Sequence, residues 1–464
     1  MMSPIAARAS GPARPRNWTW AVLGAAVALA LFAAFRPGHG DGVAPEPAIE
    51  RQGRQFVLLA RTLGRLAPSE VDSDFAPEDI APPKDGPPPT FPGLKADLAD
   101  LAGALHAGAP GADDPRRLRL ADRTERLRAL ADIMTSGARP PFDEEARRLY
   151  GLEPPSLDGR TYVEARAALD RLLPGDGSLT ARVERFRDRF VIPEKLRPAV
   201  FARALAECRR RTLLHWRLPG AERLDVEWTS DVDAAWHRYR GNYHSVLRIN
   251  PQAVAFLGSA VDVACHEAYP GHHTQFVLSE AAMVGAGGPP VEDRIVLLRS
   301  PASVLREGMA EYGVSLVFPA AERLAFERDV LFPLIGHPPE EAERFERVRQ
   351  LLYELAPAAM PILRAYRDRR TGADAAADAL DREALIASPR ALLSFVDGVG
   401  AYTVGYTSAR EQARAFVEAR GATGEARWSR LACLIRSADD APLDASTHRL
   451  GPPACEPARN EVKK

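Results

Sequence analysis

The chain has 464 residues, of which 46% are hydrophobic and 27% are charged. This balance excludes a chain that is disordered throughout, and the length suits one large domain or two ordinary ones. The formal net charge at pH 7 is −1. Composition therefore gives no basic surface of the kind that binds nucleic acid, and we expect no nucleic-acid partner.

The N-terminus is predicted to anchor the protein in the cell membrane as a single-pass signal anchor. Residues 1–16 contain three arginines and no acidic residue, and residues 17–35 are mostly apolar and carry no charge. A stretch of this length can span a bilayer, and the positive-inside rule places residues 1–16 in the cytoplasm. Residues 36–48 then form a linker to a domain on the periplasmic or extracellular side.

A cleaved signal peptide is the alternative, because Ala33 and Ala34 suit a signal peptidase. No cysteine follows closely enough for lipoprotein attachment.

Residues 49–464 are predicted to form one mainly α-helical domain, because Ala, Leu, Arg and Glu, all good helix formers, carry its periodic segments. The predicted helices in the first half of this domain span residues 49–66, 94–106, 115–135, 142–150, 162–173, 179–190 and 192–216. Residues 67–92 are rich in Pro and Asp and are predicted to be a flexible surface loop. Residues 438–464 are predicted to be a Pro-rich tail.

A small β element interrupts the helical pattern near the middle of the chain. Residues 223–228 and 244–249 alternate in polarity or carry β-branched side chains, which predicts two strands of a hairpin or small sheet. The edge of such a sheet could align an extended peptide through main-chain hydrogen bonds. Alternatively, the strands only cover one end of the helical core. Helices are predicted again at residues 252–280, 293–298 and 303–317.

The segment from His266 to His273 reads HEAYPGHH and lies within the helix predicted at residues 252–280. A catalytic zinc ion commonly takes two histidines and a carboxylate and keeps a fourth position for water. On a straight helix, the six residues from His266 to His272 correspond to about 600° of rotation, which would point the two rings to different faces. A shared metal ion therefore requires the helix to break.

Pro270 and Gly271 provide that break. Proline lacks the backbone N–H that a helix needs, and glycine can adopt backbone angles that are closed to other residues. We therefore predict a kink or bulge that brings His272 beside His266, so that both bind one metal ion. Glu267 is the predicted general base.

Two glutamates four residues apart, Glu307 and Glu311, lie on the otherwise largely apolar helix predicted at residues 303–317. A charged residue on a buried helix is costly unless it is paired or bound to a metal. We expect Glu307 to be the third metal ligand and Glu311 to accept the N–H of a ligand histidine. For Glu311, exposure to solvent or pairing with an arginine is the alternative.

These motifs resemble a known family. The string HEAYPGHH, followed by REGMAEYG at residues 306–313, resembles the bacterial family of unknown function numbered 885, which is grouped by its HExxPGH motif with the gluzincin metallopeptidases. Matching segments flank it in the expected order, at residues 173–175, 240–243, 245–250 and 401–405. The resemblance covers about residues 160 to 420. Met309 stands where the family often has Trp, a difference that concerns the shape of the pocket.

The resemblance implies a helical metallopeptidase-like domain that holds one Zn²⁺ through His266, His272 and Glu307, with Glu267 as general base. Tyr402, in the matching AYTVG segment, is a candidate for stabilising the oxyanion, because a phenol can donate a hydrogen bond to developing charge. Alternatively, Tyr402 packs between helices and its hydroxyl bonds a carbonyl group.

Three further residues in the matching segments, His273, Asn242 and Tyr243, are candidates for supporting the ligands or contacting the substrate. The expected activity is that of a membrane-anchored, exported zinc metallopeptidase whose partner is a peptide or another amide substrate. A zinc hydrolase of a non-peptide amide or ester is one alternative, and a catalytically silent exported binding protein is another. Glu267 argues against the silent protein, since a structural metal site needs no general base. Other divalent ions also suit such ligands.

The four cysteines are compatible with export. Cys433 and Cys455 bracket a Pro-rich segment and could form a disulfide in an oxidising compartment. Cys265 directly precedes His266, and on a helix its side chain points about 100° away from that of its neighbour. We therefore predict that Cys265 packs in the core as a free thiol and does not bind the metal.

Overall fold

The computed structural model describes residues 46–83, 87–107, 114–154, 159–232, 234–285 and 288–437, together with the backbone of residues 443–444 and 449–450. The predicted segments 1–16 and 17–35, most of the linker 36–48 and nearly all of the tail 438–464 lie outside the described residues. The described part is mainly helical and includes small sheets of two or three strands, as predicted.

The helices alternate with short connections and, in three places, with longer segments that contain the strands β1 to β5. They are α1 (Ala48–Leu66), α2 (Phe91–His106), α3 (Pro115–Ser136), α4 (Phe142–Glu145), α5 (Gly159–Leu172), α6 (Leu179–Asp188), α7 (Arg197–Thr212), α8 (Leu257–Glu267), α9 (His272–Gly285), α10 (Pro301–Val317), α11 (Ala320–Phe326), α12 (Phe332–Leu334), α13 (Ala342–Leu355), α14 (Ala359–Arg367), α15 (Ala373–Ala384), α16 (Pro389–Val399), α17 (Ser408–Glu418) and α18 (Glu425–Arg436). A π-helical turn, Ala146–Tyr150, continues α4, and a 3₁₀ segment, Gly400–Tyr406, precedes α17.

Side-chain caps explain where several helices begin. Thr90, Asp114, Ser178 and Ser300 each accept a backbone N–H in the first turn of α2, α3, α6 and α10. Such a cap satisfies one of the N–H groups that the first turn leaves without a helical partner. The predicted helices in the first half of the domain are all present, with ends shifted by a few residues.

The strands are β1 (Val71–Asp74), β2 (Arg223–Trp228), β3 (Ala235–Gly241), β4 (His244–Ile249), β5 (Ile295–Leu297), β6 (Leu443–Asp444) and β7 (Arg449–Leu450). The central sheet has the order β2–β4–β3, in which β4 pairs parallel with β2 and antiparallel with β3. Both strands predicted for this sheet have their predicted bounds. They pair with each other in parallel because β3, which was not predicted, supplies the return between them.

The structure corrects two predictions in the sheet formed by β1 and β5, which pair antiparallel. Residues 67–92 are not simply a surface loop, since they contain β1 and bury Ser73, Ala76 and Ile80. Residues 293–298 do not form a helix. They contain β5, whose three residues are all buried, because the β-branched pair at its start favours an extended, packed strand.

Helix α10 lies between two large apolar clusters and contributes to both. Val304 packs with residues of α1, α2 and α3, whereas Leu305 and Met309 pack with residues of α7, α8 and α13. Glu307, between these positions, is consequently only 9% exposed. A carboxylate at this depth requires a compensating partner.

The structure also corrects the prediction for Cys265, which forms a disulfide with Cys208 of α7. Helices α7 and α8 bring the two Cα atoms to 5.5 Å, within the usual range for a disulfide. The side chain of Cys265 does point away from the metal motif, but towards another cysteine. Cys433 is disulfide-bonded as well. Its predicted partner, Cys455, lies outside the described residues.

In the part of the chain that the structure describes, no single helix is long and apolar enough to cross a membrane. The segments Ala373–Ala384 and Pro389–Gly421 reach that length and hydropathy only together, and they are bent by 116° relative to each other.

Candidate metal centre

The predicted break lies between α8 and α9. Helix α8 ends at Glu267, α9 begins at His272, and the peptide bond before Pro270 is cis. The N–H of Gly271 donates to the carbonyl oxygen of Cys265 over 3.0 Å. A Cβ atom at Gly271 would lie 1.6 Å from the carbonyl oxygen of His266, so only glycine fits there. The sequence HEAYPGHH therefore folds into two helices that meet at a tight glycine contact.

This break brings His266, His272 and Glu307 together. The Nε2 atom of His266 lies 3.2 Å from Glu307 Oε2, and that of His272 lies 3.5 Å from Glu307 Oε1. The two imidazole rings are 4.8 Å apart and nearly perpendicular. Ligand atoms of all three residues lie within 4.8 Å of one another. Because ligands about 2.1 Å from a tetrahedral zinc ion are roughly 3.4 Å apart, the three residues fit this metal. We refer to them as the metal cluster.

Glu311 determines which nitrogen of His266 faces the cluster. Its Oε1 lies 3.2 Å from Nδ1 of His266. An ionised carboxylate can only accept, so Nδ1 carries a proton, and Nε2 is left to face Glu307, where it can hold either a second proton or a metal ion. The contact predicted for Glu311 is therefore present, and Nε2 of His266 and the carboxylate of Glu307 face each other across a position that only a proton or a metal ion can satisfy.

The electrostatics favour a positive charge at that centre. Burial opposes a charge on His266, but its contacts with Glu307 and Glu311 outweigh burial and raise its pKa well above the ordinary value. Burial likewise opposes ionisation of Glu307, whereas the neighbouring His272 and His266 lower its pKa far below the usual range. An ionised carboxylate between two histidines suits a bound cation.

Glu267, the predicted general base, is the last residue of α8 and follows His266 directly. Burial raises its pKa, and the positive charges of His272 and His266 work against this rise. A general base works best when its pKa lies closer to neutrality than that of an exposed carboxyl group. The environment of Glu267 shifts its pKa in that direction.

Tyr402 lies in the 3₁₀ segment and contacts the cluster directly. Its hydroxyl donates to Glu307 Oε1 over 2.8 Å and lies 3.1 Å from Ser303 Oγ. Because its single proton is used by Glu307, Ser303 must be the donor in the second contact. In the same segment, a Cβ atom at Gly405 would lie 2.9 Å from the Cβ of Glu307. The AYTVG segment thus fits closely around Glu307, and Tyr402 orients that carboxylate.

Two residues near the cluster were not predicted. The ring of Tyr406 lies 6.5 Å from that of His266, and burial together with the charge of Glu307 raises its pKa well above the ordinary value. Asp72 reaches the region from β1. Burial raises its pKa to about 6, and the charge of His272 opposes the rise. Tyr406 could have been found as the second tyrosine of AYTVGY, but Asp72 lies in a segment whose composition indicates a loop.

His273 does not join the metal cluster. It is fully buried, with Nε2 2.8 Å from Glu222 Oε1 and Nδ1 2.8 Å from Ser245 Oγ. His237 Nε2 lies 2.9 Å from the same serine oxygen. Since Glu222 only accepts, His273 donates from Nε2, Ser245 donates to His273, and His237 donates to Ser245. We call these four residues the histidine–serine network.

Further contacts anchor this network at Glu222. Arg209 donates to Glu222 Oε2 over 2.9 Å, and the hydroxyl of Tyr269 donates to Oε1. Burial would raise the pKa of Glu222, but the hydrogen bonds from His273, Tyr269 and Arg209 outweigh it and lower the pKa to about 2. Burial also lowers the pKa of His273, so the imidazole is neutral.

Asn242 and Tyr243 form the turn between β3 and β4, which the structure does not bring into the metal cluster. Both have positive φ angles, 54° and 59°, which is typical of a two-residue hairpin turn. Their N–H groups donate to the carboxylate of Glu280, over 3.2 and 3.1 Å. The RGNY segment therefore shapes the turn of the central sheet, and the support or substrate role of Asn242 and Tyr243 stays a prediction.

Comparison with known proteins finds likeness only in structure. A "putative lipoprotein" from Colwellia psychrerythraea aligns with a TM-score of 0.47 at 13% identity, covering 84% of this chain and 74% of that one. A "putative lipoprotein of unknown function" from Shewanella oneidensis aligns with a TM-score of 0.41 at 13% identity, covering 75% of this chain and 70% of that one. Neither score is high enough to support an argument about fold or function. No family model and no curated protein matches the chain, so the family resemblance rests on the motifs.

Proposed function

We propose that this protein is an exported, membrane-anchored zinc hydrolase, and specifically a metallopeptidase that cleaves a peptide amide bond. The observation that carries the proposal is the convergence of His266, His272 and Glu307 across a helix break that only glycine permits. A purely structural zinc site normally closes its fourth position with a protein ligand. Among the described residues, no fourth His, Cys, Asp or Glu joins this group.

Each residue of the site has a distinct task in this proposal. His266, His272 and Glu307 would hold Zn²⁺, which polarises a carbonyl group and lowers the pKa of a bound water. The carboxylate of Glu267 takes a proton from the attacking water and passes it to the leaving amine. Glu311 holds the tautomer of His266.

Tyr402 and Tyr406 have different parts in this proposal. Tyr402 donates its proton to Glu307 and so orients a metal ligand, which leaves it no proton for the substrate. The hydroxyl of Tyr406 also hydrogen-bonds Glu307, but Tyr406 is only partly buried and its ring lies 6.5 Å from that of His266, which makes it a second candidate for stabilising an oxyanion. Its raised pKa keeps the phenol protonated and able to donate.

Two observations support a location outside the cytoplasm. The disulfide between Cys208 and Cys265 is of the kind that persists in oxidising compartments. The uncharged apolar stretch at residues 17–35 follows a basic segment, as in proteins whose chain beyond the anchor is exported. The finer topology is the single-pass anchor predicted above.

The test compares zinc-loaded protein with its Glu267→Gln variant on a peptide library and on matched non-peptide amides and esters. We expect the variant to keep its zinc and to lose turnover by about 10²- to 10⁴-fold, the usual contribution of a general base. The matched control is Glu322→Gln, which changes a carboxylate that is 57% exposed and should not alter turnover. Full activity in Glu267→Gln would disprove the assignment of the base. Turnover confined to esters or non-peptide amides would replace the peptidase by the corresponding hydrolase.

A further inference from the structure

A cavity of about 410 Å³ lies beside the first turns of α8. Its walls are mostly aromatic and aliphatic, and they come from the end of α6, the start of α8, the helix α13 and the segment after α15. The principal apolar lining residues are Phe190, Phe256, Phe345, Leu352 and Ile386. The volume lies within the range of about 300–1,000 Å³ that is typical of ligand sites. We call this the α8 cavity.

The charged side chains that line the α8 cavity already have partners within the protein. Arg349 donates to both oxygens of Glu346, over 2.6 and 2.8 Å. Asp262 forms an ion pair with Arg323, and Arg187 donates to Glu184 over 3.2 Å. An ion that enters the cavity would lose its hydration shell and would find no unpaired charge of opposite sign to compensate for the loss. The cavity therefore suits an uncharged, apolar group.

The cavity lies about one helical turn from the metal cluster along α8. Asp262 lines the cavity and precedes His266 by four residues, which is about one helical turn or 6 Å along the helix axis. An extended peptide advances about 3.3–3.6 Å per residue. A side chain in the cavity would thus belong to a residue within about two positions of a bond held at the cluster.

A second connection runs through Tyr353, which also lines the cavity. The guanidinium group of Arg410 lies 4.8 Å from the centre of the Tyr353 ring. The backbone of Arg410 in turn packs against Gly308, where a Cβ atom would lie 2.5 Å from the Arg410 nitrogen. Gly308 directly follows the ligand Glu307, so one wall of the cavity is joined to the helix that carries this ligand.

We propose that the α8 cavity receives an aromatic or long aliphatic side chain of the substrate next to the bond that is cleaved. This inference rests on the proposed function and deepens it, since it names peptides with a bulky, uncharged side chain near the scissile bond as the substrate class. Hydrophobic pockets of this kind discriminate by about 10- to 100-fold between a large and a small side chain.

The test uses full-length, zinc-loaded protein and a peptide series that differs in one residue near the scissile bond, with Phe, Leu, Gly or Asp at that position. We expect kcat/KM for Phe and Leu to exceed that for Gly by about 10- to 100-fold. Ala387→Trp and Ala356→Trp fill the cavity from two different segments, and both positions are exposed enough to accept a large side chain during folding. Each should reduce the preference for Phe at least about tenfold, mainly through KM. The control Ala138→Trp, at an exposed position outside the cavity, should keep the preference.

A binding measurement separates this inference from the proposed function. N-acetyl-phenylalanine amide should bind the metal-free parent in a calorimetric titration, and it should not bind Ala387→Trp. Such binding without any peptide cleavage would support the cavity and disprove the peptidase. Cleavage that shows no preference for Phe or Leu, or a preference that both filled variants retain, would disprove the role of the cavity and leave the peptidase standing.

Discussion

Two neighbouring clusters in this protein use the same residue types for different purposes. The metal cluster combines two histidines with Glu307, and the histidine–serine network combines two histidines with Glu222 and Ser245. Adjacent residues of one motif, His272 and His273, belong to different clusters. The number of histidines and carboxylates therefore does not identify a metal site.

The difference lies in the match between protons and acceptors. In the network, each acceptor faces a donor while both histidines are neutral, so the set of hydrogen bonds is complete without an ion. In the metal cluster, the proton of His266 is committed to Glu311, and its other nitrogen faces Glu307 across 3.2 Å. These two groups need a positive charge between them, which is either a second proton on His266, whose pKa is raised well above its ordinary value, or a metal ion. A buried carboxylate that faces two histidines and needs an added positive charge is thus the better indication of a metal centre.

The largest effect is expected where both clusters depend on one backbone contact, and Gly271→Ala tests this. The added Cβ would lie 1.6 Å from the His266 carbonyl oxygen, so the break must open and displace His272 and His273 together. We expect zinc binding to be lost and the free energy of unfolding to fall by about 3 kcal/mol. Urea unfolding and elemental analysis measure the two effects.

The matched control for this change is Gly103→Ala in α2. A Cβ atom there meets nothing within 4 Å, and alanine favours a helix by up to about 1 kcal/mol relative to glycine. Gly103→Ala should therefore be neutral or stabilising. If Gly271→Ala behaved in the same way, the tight contact at the break would be wrong.

The disulfide connects the backbone segments that carry the two clusters. Cys265 precedes the ligand His266, and Cys208 precedes Arg209, which donates to Glu222 of the network. Closing a loop between cysteines 57 residues apart corresponds to about 4 kcal/mol in the chain-entropy description. We expect the double change of Cys208 and Cys265 to alanine to lower the free energy of unfolding by about 2–5 kcal/mol. Parent-like stability in urea would show that this bond contributes little.

A smaller, pH-dependent effect should distinguish the network from the metal cluster. The pKa of Glu222 is lowered to about 2, so its ionised form stabilises the folded protein above its ordinary pKa of 4.5, and this stabilisation is lost as the pH falls towards 2. In metal-free protein near neutral pH, Glu222→Gln should reduce the free energy of unfolding by about 1–3 kcal/mol. The difference between parent and variant should shrink between pH 4.5 and about 2. A difference that stays constant across this interval would contradict the assigned charge of Glu222.

The sequence predicted those parts of the structure that depend on local chemistry. Pro270 and Gly271 indicated the helix break because of their backbone restrictions, and the spacing of Glu307 and Glu311 indicated a shared helix face. Asp72 and the disulfide partner of Cys265 could not be predicted in this way. Both depend on which distant segments pack together, and neither β1 nor the contact of α7 with α8 follows from a local pattern.

His273 shows the same limit within a single motif. The sequence placed it beside a metal ligand, but Ser245 and Glu222, which bind its two nitrogens, come from the central sheet and the segment before it. Tyr402 was found through a family motif, yet its task of orienting Glu307 became visible only from the direction of its hydrogen bond.

The most direct test makes the same substitution at adjacent positions and measures zinc per chain by elemental analysis after dialysis. His272→Gln removes a proposed ligand, whereas His273→Gln changes the network and keeps a side chain that can form hydrogen bonds. We expect the parent and His273→Gln to hold one zinc ion per chain and His272→Gln to hold almost none. If His273→Gln lost the metal while His272→Gln kept it, the division of this motif between the two clusters would be contradicted.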